Sequence, residues 1–344
     1  MFDLSAYNTF NLTVYAQNGR VIAVPEDLEQ PISGPFIILG GGSDVLFTED
    51  FAGTVLINRI GGIEFGPKLD HQGQPTSDEA KASHILVRVG GGVLLDELIA
   101  TLIQQGICGL ENLSLIPGTV GAAPIQNVGA YGVEIGDLIA TVEARDVFSG
   151  KQVTLTQEQC RFGYRSSIFK EQGWSSLFIT HVTFKLPLNF EPRVNYAGLQ
   201  SYEFKNAAAL RERVIALRNE KLPNPKYVGN AGSFFKNPYV SAQRVAELKA
   251  QYQEVPCYPQ SNGSYKLAAG WLIDKANCRG IKHGQVGTWG KQALVIVNLG
   301  GAKPHEVVAL AKYVSAEVRN KFALDLVPEV RLYGKHGELS WDQI

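Results

Sequence analysis

Three times before residue 137 this chain follows an apolar run with a cluster of glycines, and that pattern constrains the fold more than any other feature. Short apolar runs bounded by glycine read as strands. Glycine has no β-carbon, so each cluster permits backbone angles or close approaches that other residues resist. The first cluster, Gly40-Gly41-Gly42, lies between the runs Phe36–Leu39 and Thr54–Ile57. The second, Gly90-Gly91-Gly92, follows Ile85–Val89. After it, Leu94, Leu95, Leu98, Ile99, Leu102 and Ile103 recur at helical spacing, and Gly106 ends the helix. The third is the longest, IPGTVGAAPIQNVGAYGVEIG from Ile116 to Gly136. It is small, apolar and almost uncharged, so it is expected to pack against something.

Further along, strands are expected over about Ile139–Phe148 and Leu177–Leu186. In the second, Phe178, Thr180, Val182, Phe184 and Leu186 alternate with His181, Thr183 and Lys185, which predicts two faces. A helix over Ala207–Glu220 stops before Pro223 and Pro225, where a domain boundary is expected. Ser241 is placed to cap a helix bearing Val245, Leu248 and Tyr252. Leu267–Lys275 and Pro304–Phe322 read as helices, and Ala293–Leu299 as a strand.

At 344 residues the chain implies two or three domains. Its formal net charge of -1 argues against a nucleic-acid footprint, so any anionic ligand must be held by local groups. Cys108, Cys160, Cys257 and Cys278 form no CxxC pair, and no His stands at zinc-like spacing from them. Free thiols and no metal site are expected. The opening MFDLSAYNTFNLTV lacks a basic stretch before an apolar core, so no secretory signal is expected. No apolar run approaches the roughly 18 residues of a membrane helix. The expected location is the cytoplasm, away from any membrane.

Three glycine-rich loops on strands suit a phosphate-rich ligand, because backbone N–H groups can converge on phosphate oxygens. None fits the GxGxxG spacing, and GxxxxGK[ST] does not occur. Each loop on its own reads first as a tight turn, and only the three together put a ligand cradle on an equal footing. Arg165 in GYRSSIFK (163–170) is either a loop arginine or a clamp for a carboxylate and its developing charge. Ser233 in KLPNPKYVGNAGSFFKNP (221–238) is either a turn serine or a rigid, partly dehydrated proton donor. Lys221, Lys236 and Asn237 nearby could meet a diphosphate. Glu329 in VPEVRLYG (327–334) reads on its own as a surface partner of Arg331.

Taken together these segments resemble the UDP-N-acetylenolpyruvoylglucosamine reductase family. The matching pieces are NTFNL (8–12), ILGGGSDVLF (38–47), NLSLIPGTVGAAPIQNVGAYG (112–132), GYRSSIFK (163–170), GNAGSFFKNP (229–238), KLAAGWLID (266–274), KQALVIVN (291–298) and PEVRLYG (328–334). They keep one order across about residues 8–334. The stretch from Tyr164 to Arg193-Val194-Asn195-Tyr196 looks like the longer form of the family, in which a tyrosine-bearing loop closes over substrate. Position 44 is Asp where the family usually has Asn, position 166 is Ser where Asp is usual, and 281–290 also departs.

The resemblance implies an α+β protein of three domains. Two would be FAD-binding α+β domains of the vanillyl-alcohol-oxidase type, 1–68 with 326–344 and 69–222. The third, 223–325, would be an α/β domain for a UDP-sugar. The final strand, at about 327–340, would return to the first domain. FAD would be held non-covalently by Gly40, Gly41, Gly42, Ser43, Pro117, Gly118, Thr119, Gly121, Ala122, Asn127, Gly129, Ala130 and Tyr131. NADPH would supply hydride. Arg165, Ser233 and Glu329 would be catalytic, and Tyr196, Lys221, Asn237 and Gln292 would contact the UDP-sugar. The reaction would reduce an enolpyruvyl ether to a lactyl ether in peptidoglycan precursor synthesis, and the protein would be a monomer. Two other readings share some of these features. A flavin oxidase of the wider fold has no use for Ser233 in GNAGSFFKNP, and a non-catalytic flavin or nucleotide-sugar binder has no use for Arg165, Ser233 and Glu329 together.

Overall fold

A computed structural model describes residues 1–30 and 32–344. The chain forms two compact units, Met1–Gln17 with Gly42–Ala52 and Asn219–Ile344, and Asn18–Gly41 with Gly53–Arg218. We call them the first and second unit. Among the described residues no helix is long and apolar enough to cross a membrane.

The second unit is built on a five-stranded antiparallel sheet in the order Gln152–Thr156, Ile139–Asp146, Leu177–Pro187, His84–Gly90, Ile63–Leu69. The helix Leu95–Gln104 lays Leu95, Leu98, Ile99 and Leu102 into one core with Val87, Val89, Val182 and Phe184 of the sheet. Each such side chain contributes about 1.5–3 kcal/mol by leaving water. Asp96 and Glu97 in its first turn suit the positive end of the helix dipole. Gly106, at φ 71°, ends it as expected. A second apolar cluster joins Ile22, Leu28, Leu56 and Ile60 to Val147 and Phe178. Beside it, Phe36–Leu39 pairs in parallel with the Phe51–Asn58 strand, from Phe36 opposite Thr54 to Leu39 opposite Ile57.

The alternation expected along Leu177–Pro187 holds for only part of its length. The pairing with Ile139–Asp146 slips between Glu143 and Ala144, so Thr180 becomes an extra residue. Side-chain parity reverses across it. Ile179 therefore joins Val182, Phe184 and Leu186 in the main core, while Phe178 enters the other cluster. The Thr180 hydroxyl donates to Glu143 O at 3.2 Å, and Gly91 N–H donates to Thr180 O at 2.7 Å.

The three glycine clusters are a packing device in this unit. A β-carbon on Gly40 would stand 2.3 Å from Thr119 Oγ1, and one on Gly41 would stand 2.9 Å from the Gly118 Cα. One on Gly91 would lie 2.5 Å from Ile179 O, and one on Gly121 would lie 3.0 Å from the Gly91 Cα. Residues 91–95 and 118–121 run against each other: Leu95 N–H donates to Gly118 O (3.1 Å), Val120 N–H to Val93 O (2.9 Å) and Gly121 N–H to Gly91 O (2.8 Å). Room for neighbouring backbone, more than unusual backbone angles, is what excludes side chains here. The long third cluster packs as its composition implied, with Val120, Ala123, Val133 and Ile135 in the main core.

The first unit carries a four-stranded sheet in the order Gly229–Ser233, Gln292–Asn298, Val286–Trp289, Lys282–His283. A three-stranded sheet orders Tyr239–Val240, Tyr265–Leu267, Cys257–Pro259. Its helices are Ala242–Gln251, Ala269–Lys275 and Pro304–Phe322. The Ser241 hydroxyl accepts Arg244 N–H at 3.2 Å, the expected cap. The last helix has the expected bounds, and Glu306 returns a carboxylate to Lys303 N–H at 2.8 Å. Leu267, read as helical from the sequence, ends a strand instead, because it pairs with Cys257. The stretch expected as one final strand is a hairpin of Arg331–Gly334 and Gly337–Leu339, and its first strand runs parallel to Val45–Phe47. That short strand was hidden between two stronger signals. The strands Tyr15–Ile22, Ile63–Leu69 and Gln152–Thr156 are further additions: glycine and polar residues interrupt the alternation of the first two, and the third, QVTLT, is only five residues long.

Cys108, Cys160 and Cys278 are buried free thiols and Cys257 is half-buried. Burial pushes Cys160 up to about 12 and Cys108 up to about 11.

Gly42 is the strictest glycine of the first unit. Its φ is 61°, and a β-carbon would stand 1.9 Å from Tyr7 O. Gly42→Ala is expected to lower the unfolding free energy by more than about 3 kcal/mol. Gly61→Ala, whose β-carbon would meet nothing within 4 Å, should stay within about 0.5 kcal/mol of the parent. Urea unfolding of both variants checks the contrast.

Candidate functional site

The second unit holds Arg165 at the tip of a tight hairpin. Gly163 N–H donates to Ser166 O at 3.0 Å and Ser166 N–H returns to Gly163 O at 3.1 Å, leaving Tyr164 and Arg165 as the turn. Arg165 adopts φ 53°. A side chain in this left-handed region costs on the order of 1–2 kcal/mol and persists only where its surroundings hold it. They do: Arg165 Nη2 donates to Gly129 O at 3.0 Å, and its guanidinium lies 5.2 Å from the centre of the Tyr164 ring. Arg165 is thus a turn arginine whose guanidinium is held in place.

Gly129 belongs to a second hairpin, with Gly129 opposite Glu134 and Ala130 opposite Val133. Its turn residues, Tyr131 at φ 50° and Gly132 at φ 82°, have the signs that a two-residue turn between twisted strands demands. Asn127 binds the two hairpins together. It is 1% exposed. Its amide donates to Glu134 Oε2 (2.6 Å) and Gly163 O (3.1 Å), and its Oδ1 accepts Gly136 N–H (2.9 Å). Asn127 thus uses its polar groups on the protein, and its visible role is to hold the turn that carries Arg165.

Tyr196 is 45% exposed and meets the Tyr131 ring edge-on, with centroids 5.1 Å apart. Asn112, buried and overlooked in the sequence, donates to Tyr131 O (2.9 Å) and Arg193 O (2.8 Å), which ties the Tyr196 segment to the Tyr131 turn. Asp96 secures the entry to the third glycine cluster. Its Oδ1 accepts Leu115 N–H at 2.6 Å, and Arg211 grips both carboxylate oxygens at 2.5 and 3.0 Å. Burial raises the Asp96 pKa, but the hydrogen bonds from Arg211 and Leu115 outweigh it and hold the carboxyl below its ordinary range.

The residues expected to hold FAD in this unit fit an anionic, phosphate-bearing group. Among the described residues, no acceptor takes the N–H of Gly41 or of Gly118. The Thr119 hydroxyl is buried without a partner. Gly40 and Gly41 bring their strand end against Gly118 and Thr119, so these unclaimed donors belong to loops in contact. Buried polar groups are rarely left unsatisfied. Gly121, Ala122 and Ala130 offer small surfaces in the same segment. Gly42 and Ser43 lie in the first unit, where Gly42 O accepts Thr9 N–H at 3.0 Å.

The first unit brings Ser233 and Glu329 onto paired backbone. Glu329 N–H donates to Phe234 O at 2.8 Å, and Phe235 bridges Pro328. Both residues are half-buried. Ser233 owes its place to a bulge. Asn230 opposes Val297 and Ser233 opposes Val295, so one extra residue lies between them, where Gly232 takes φ 70°. Without it Gly232 would oppose Val295 and the serine would face the other way. Asn230, which the sequence did not single out, fixes the bulge. Its Oδ1 accepts Gly232 N–H (2.9 Å), and its amide donates to Val228 O (2.8 Å) and Pro223 O (3.2 Å). Arg331, weighed from the sequence as the partner of Glu329, gives its guanidinium to Glu338 at 2.6 and 2.9 Å. Asp44, the departure from the family pattern, accepts Arg331 N–H through its carbonyl at 3.1 Å.

Asn237 Oδ1 accepts Ala269 N–H at 2.9 Å, and Gln292 Oε1 accepts Leu294 N–H at 3.3 Å. Lys221 is exposed at the end of the helix Ala207–Lys221.

Residues 224–333 match the family described as "UDP-N-acetylenolpyruvoylglucosamine reductase, C-terminal domain", and residues 33–156 match "FAD binding domain". A UDP-N-acetylenolpyruvoylglucosamine reductase of Escherichia coli strain K12 is 43% identical over 349 aligned positions, covering 98% of this chain and 97% of that protein. A protein of the same name from Pasteurella multocida is 42% identical, covering 100% and 99%. A crystal structure of UDP-N-acetylenolpyruvylglucosamine reductase from Thermus caldophilus superposes with a TM-score of 0.63 at 24% identity, over 96% of each chain. That likeness is one of fold.

Two outcomes follow from this geometry. Asn127→Ala leaves the Gly136 N–H without its partner and removes one donor each from Glu134 and the Gly163 carbonyl, and should lower the unfolding free energy by about 2–4 kcal/mol, read by urea titration. Asp96 has a depressed folded pKa, so its stabilisation is present above the unfolded value of about 3.9 and is lost as pH falls through the folded one. Asp96→Asn should therefore lower Tm at pH 7, with the gap closing below about pH 4.

Proposed function

The chain belongs to the UDP-N-acetylenolpyruvoylglucosamine reductase family, and from that premise we propose that it reduces the enolpyruvyl ether of UDP-N-acetylglucosamine to the lactyl ether, giving UDP-N-acetylmuramate for peptidoglycan. It is an oxidoreductase with an FAD-binding domain. The hydride source is NADPH, and the protein works in the cytoplasm as a monomer. When bound, FAD supplies the hydride relay between NADPH and the substrate carbon. The domains are 1–68 with 326–344 and 69–222 for FAD, and 223–325 for the UDP-sugar.

The observation that carries this reading is the pairing of Ser233 and Glu329 through the Phe234–Glu329 backbone hydrogen bond, on a bulge held by Asn230. A serine whose backbone is fixed in this way presents its hydroxyl from one place while charge develops beside it. Hydride added at C3 of the enolpyruvyl group leaves negative charge spread from C2 toward the carboxylate. The Ser233 hydroxyl gives C2 its proton. Glu329 acts at the carboxyl end, where it holds or shares a proton. Arg165 meets the same developing charge with a guanidinium already held by Gly129 O, so little reorganisation is needed at the moment of reaction. The unclaimed N–H groups of Gly41 and Gly118 and the Thr119 hydroxyl would hold the FAD phosphates, with Gly40, Gly42, Ser43, Pro117, Gly121, Ala122, Gly129, Ala130 and Tyr131 lining its path and Asn127 holding that lining in place. Tyr196, Lys221, Asn237 and Gln292 would meet the UDP-sugar, the last two through amide N–H groups suited to phosphate oxygens.

Purified protein should show a yellow flavin spectrum that NADPH bleaches and the enolpyruvyl substrate restores. Ser233→Ala should slow the restoring half-reaction by about 10²–10⁴-fold while leaving bleaching within about twofold of wild type. Loss of both half-reactions, or of neither, would remove Ser233 from the proposed role.

A further inference from the structure

Gly270 is the second residue of the helix Ala269–Lys275, and its glycine is not explained by the backbone. It is absent from the residues of positive φ. Alanine would favour the helix there, since glycine inside a helix costs about 1 kcal/mol relative to alanine. What the missing side chain provides is space. A β-carbon on Gly270 would stand 2.8 Å from Gln292 Oε1, with Leu294 Cδ1 next at 3.5 Å. The Gln292 carboxamide thus occupies the place a side chain at 270 would take.

The neighbouring residue is used in a related way. Asn237 Oδ1 accepts the N–H of Ala269. Two carboxamides therefore meet consecutive residues of one helix, and in both the oxygen is engaged, by Ala269 N–H and by Leu294 N–H. The nitrogen hydrogens of Asn237 and Gln292 have no acceptor in the protein among the described residues. An amide whose oxygen is already engaged keeps its two N–H donors as the groups still to be used. A pair of such donors recognises an acceptor-only group, such as the oxygens of a nucleoside diphosphate, and offers nothing to a cation.

We infer that Gly270 is a positioning residue for the UDP-sugar: its missing side chain holds the Gln292 carboxamide beside Asn237 as an oriented pair of donors. This rests on the function proposed above. Gln292 Oε1 is the far end of a flexible side chain, so a methyl group at 270 displaces the amide without breaking the fold. The Oε1 must retreat by about 0.6 Å to reach ordinary contact, enough to spoil the direction of a hydrogen bond.

Gly270→Ala, Gln292→Ala and the double variant distinguish this role from a packing role. Gly270→Ala should fold with a Tm no lower than wild type, keep the flavin spectrum, and be bleached by NADPH at the wild-type rate. Its KM for the enolpyruvyl substrate should rise about five- to twentyfold, the loss expected for one hydrogen bond, with kcat changed less than about twofold. In the Gln292→Ala background the same substitution should change KM by less than about twofold, because its target is gone. A wild-type KM in Gly270→Ala, or an equal rise in both backgrounds, overturns the proposal while leaving the reductase function in place. Wild-type protein that is bleached by NADPH yet neither turns over the enolpyruvyl compound nor binds UDP-N-acetylglucosamine in a titration overturns both.

Discussion

Backbone packed directly on backbone is the constraint on which the second unit depends. Gly41 lies on Gly118, Gly121 lies on Gly91, and Gly91 lies on the Ile179 carbonyl, while Gly40 makes room for the Thr119 side chain. A single β-carbon at most of these positions would need to pass within 3 Å of another atom. Close packing of this kind is intolerant, because interiors have few voids in which to absorb a displaced chain. It also has a chemical consequence. Backbone brought this close to backbone cannot all pair with itself, and the N–H groups of Gly41 and Gly118 and the buried Thr119 hydroxyl are left over. A packing rule and a set of unclaimed donors are thus one feature.

Two one-residue bulges extend the same economy. The one at Thr180 turns Phe178 out of the main core and into the cluster with Leu56 and Ile60, so one strand serves two cores. The one at Gly232 brings Ser233 opposite Val295. In each case a side-chain hydrogen bond fixes the irregularity: the Thr180 hydroxyl donates to the Glu143 carbonyl, and the Asn230 Oδ1 accepts Gly232 N–H. Arg165 is held in the left-handed region by similar means, with Asn127 joining the turn that bears it to the turn that receives its guanidinium. Strain of about 1–2 kcal/mol at Arg165 is small beside the hydrogen bonds converging on Asn127.

Local signals were legible wherever one residue type carried the information alone. The Pro304–Phe322 helix, the Ser241 cap, the Gly106 stop and the strand Phe36–Leu39 have the expected character because proline, serine, glycine and short apolar runs each act on their nearest neighbours. Leu267 was misassigned because Cys257, ten residues away, decides its state by pairing. The strand Val45–Phe47 was invisible because Arg331–Gly334 defines it from the far end of the chain. Asn230, Asn112 and Gly270 carried no signal of their own, since buried amides and a helical glycine look unremarkable until their partners are known.

The sequence by itself determined the family, the glycine-cluster plan and the identity of Arg165, Ser233 and Glu329 as residues worth following, because motifs kept in one order over the whole chain need no coordinates to be read. Only the tertiary structure decided that Glu329 is joined by backbone to Phe234 while Arg331 turns to Glu338, that Asn127 is spent on holding two turns, and that the space at Gly270 belongs to Gln292. These are pairings between residues up to nearly a hundred positions apart. Which of several possible partners a polar group takes depends on distance and direction in space, and a linear order of residues records neither.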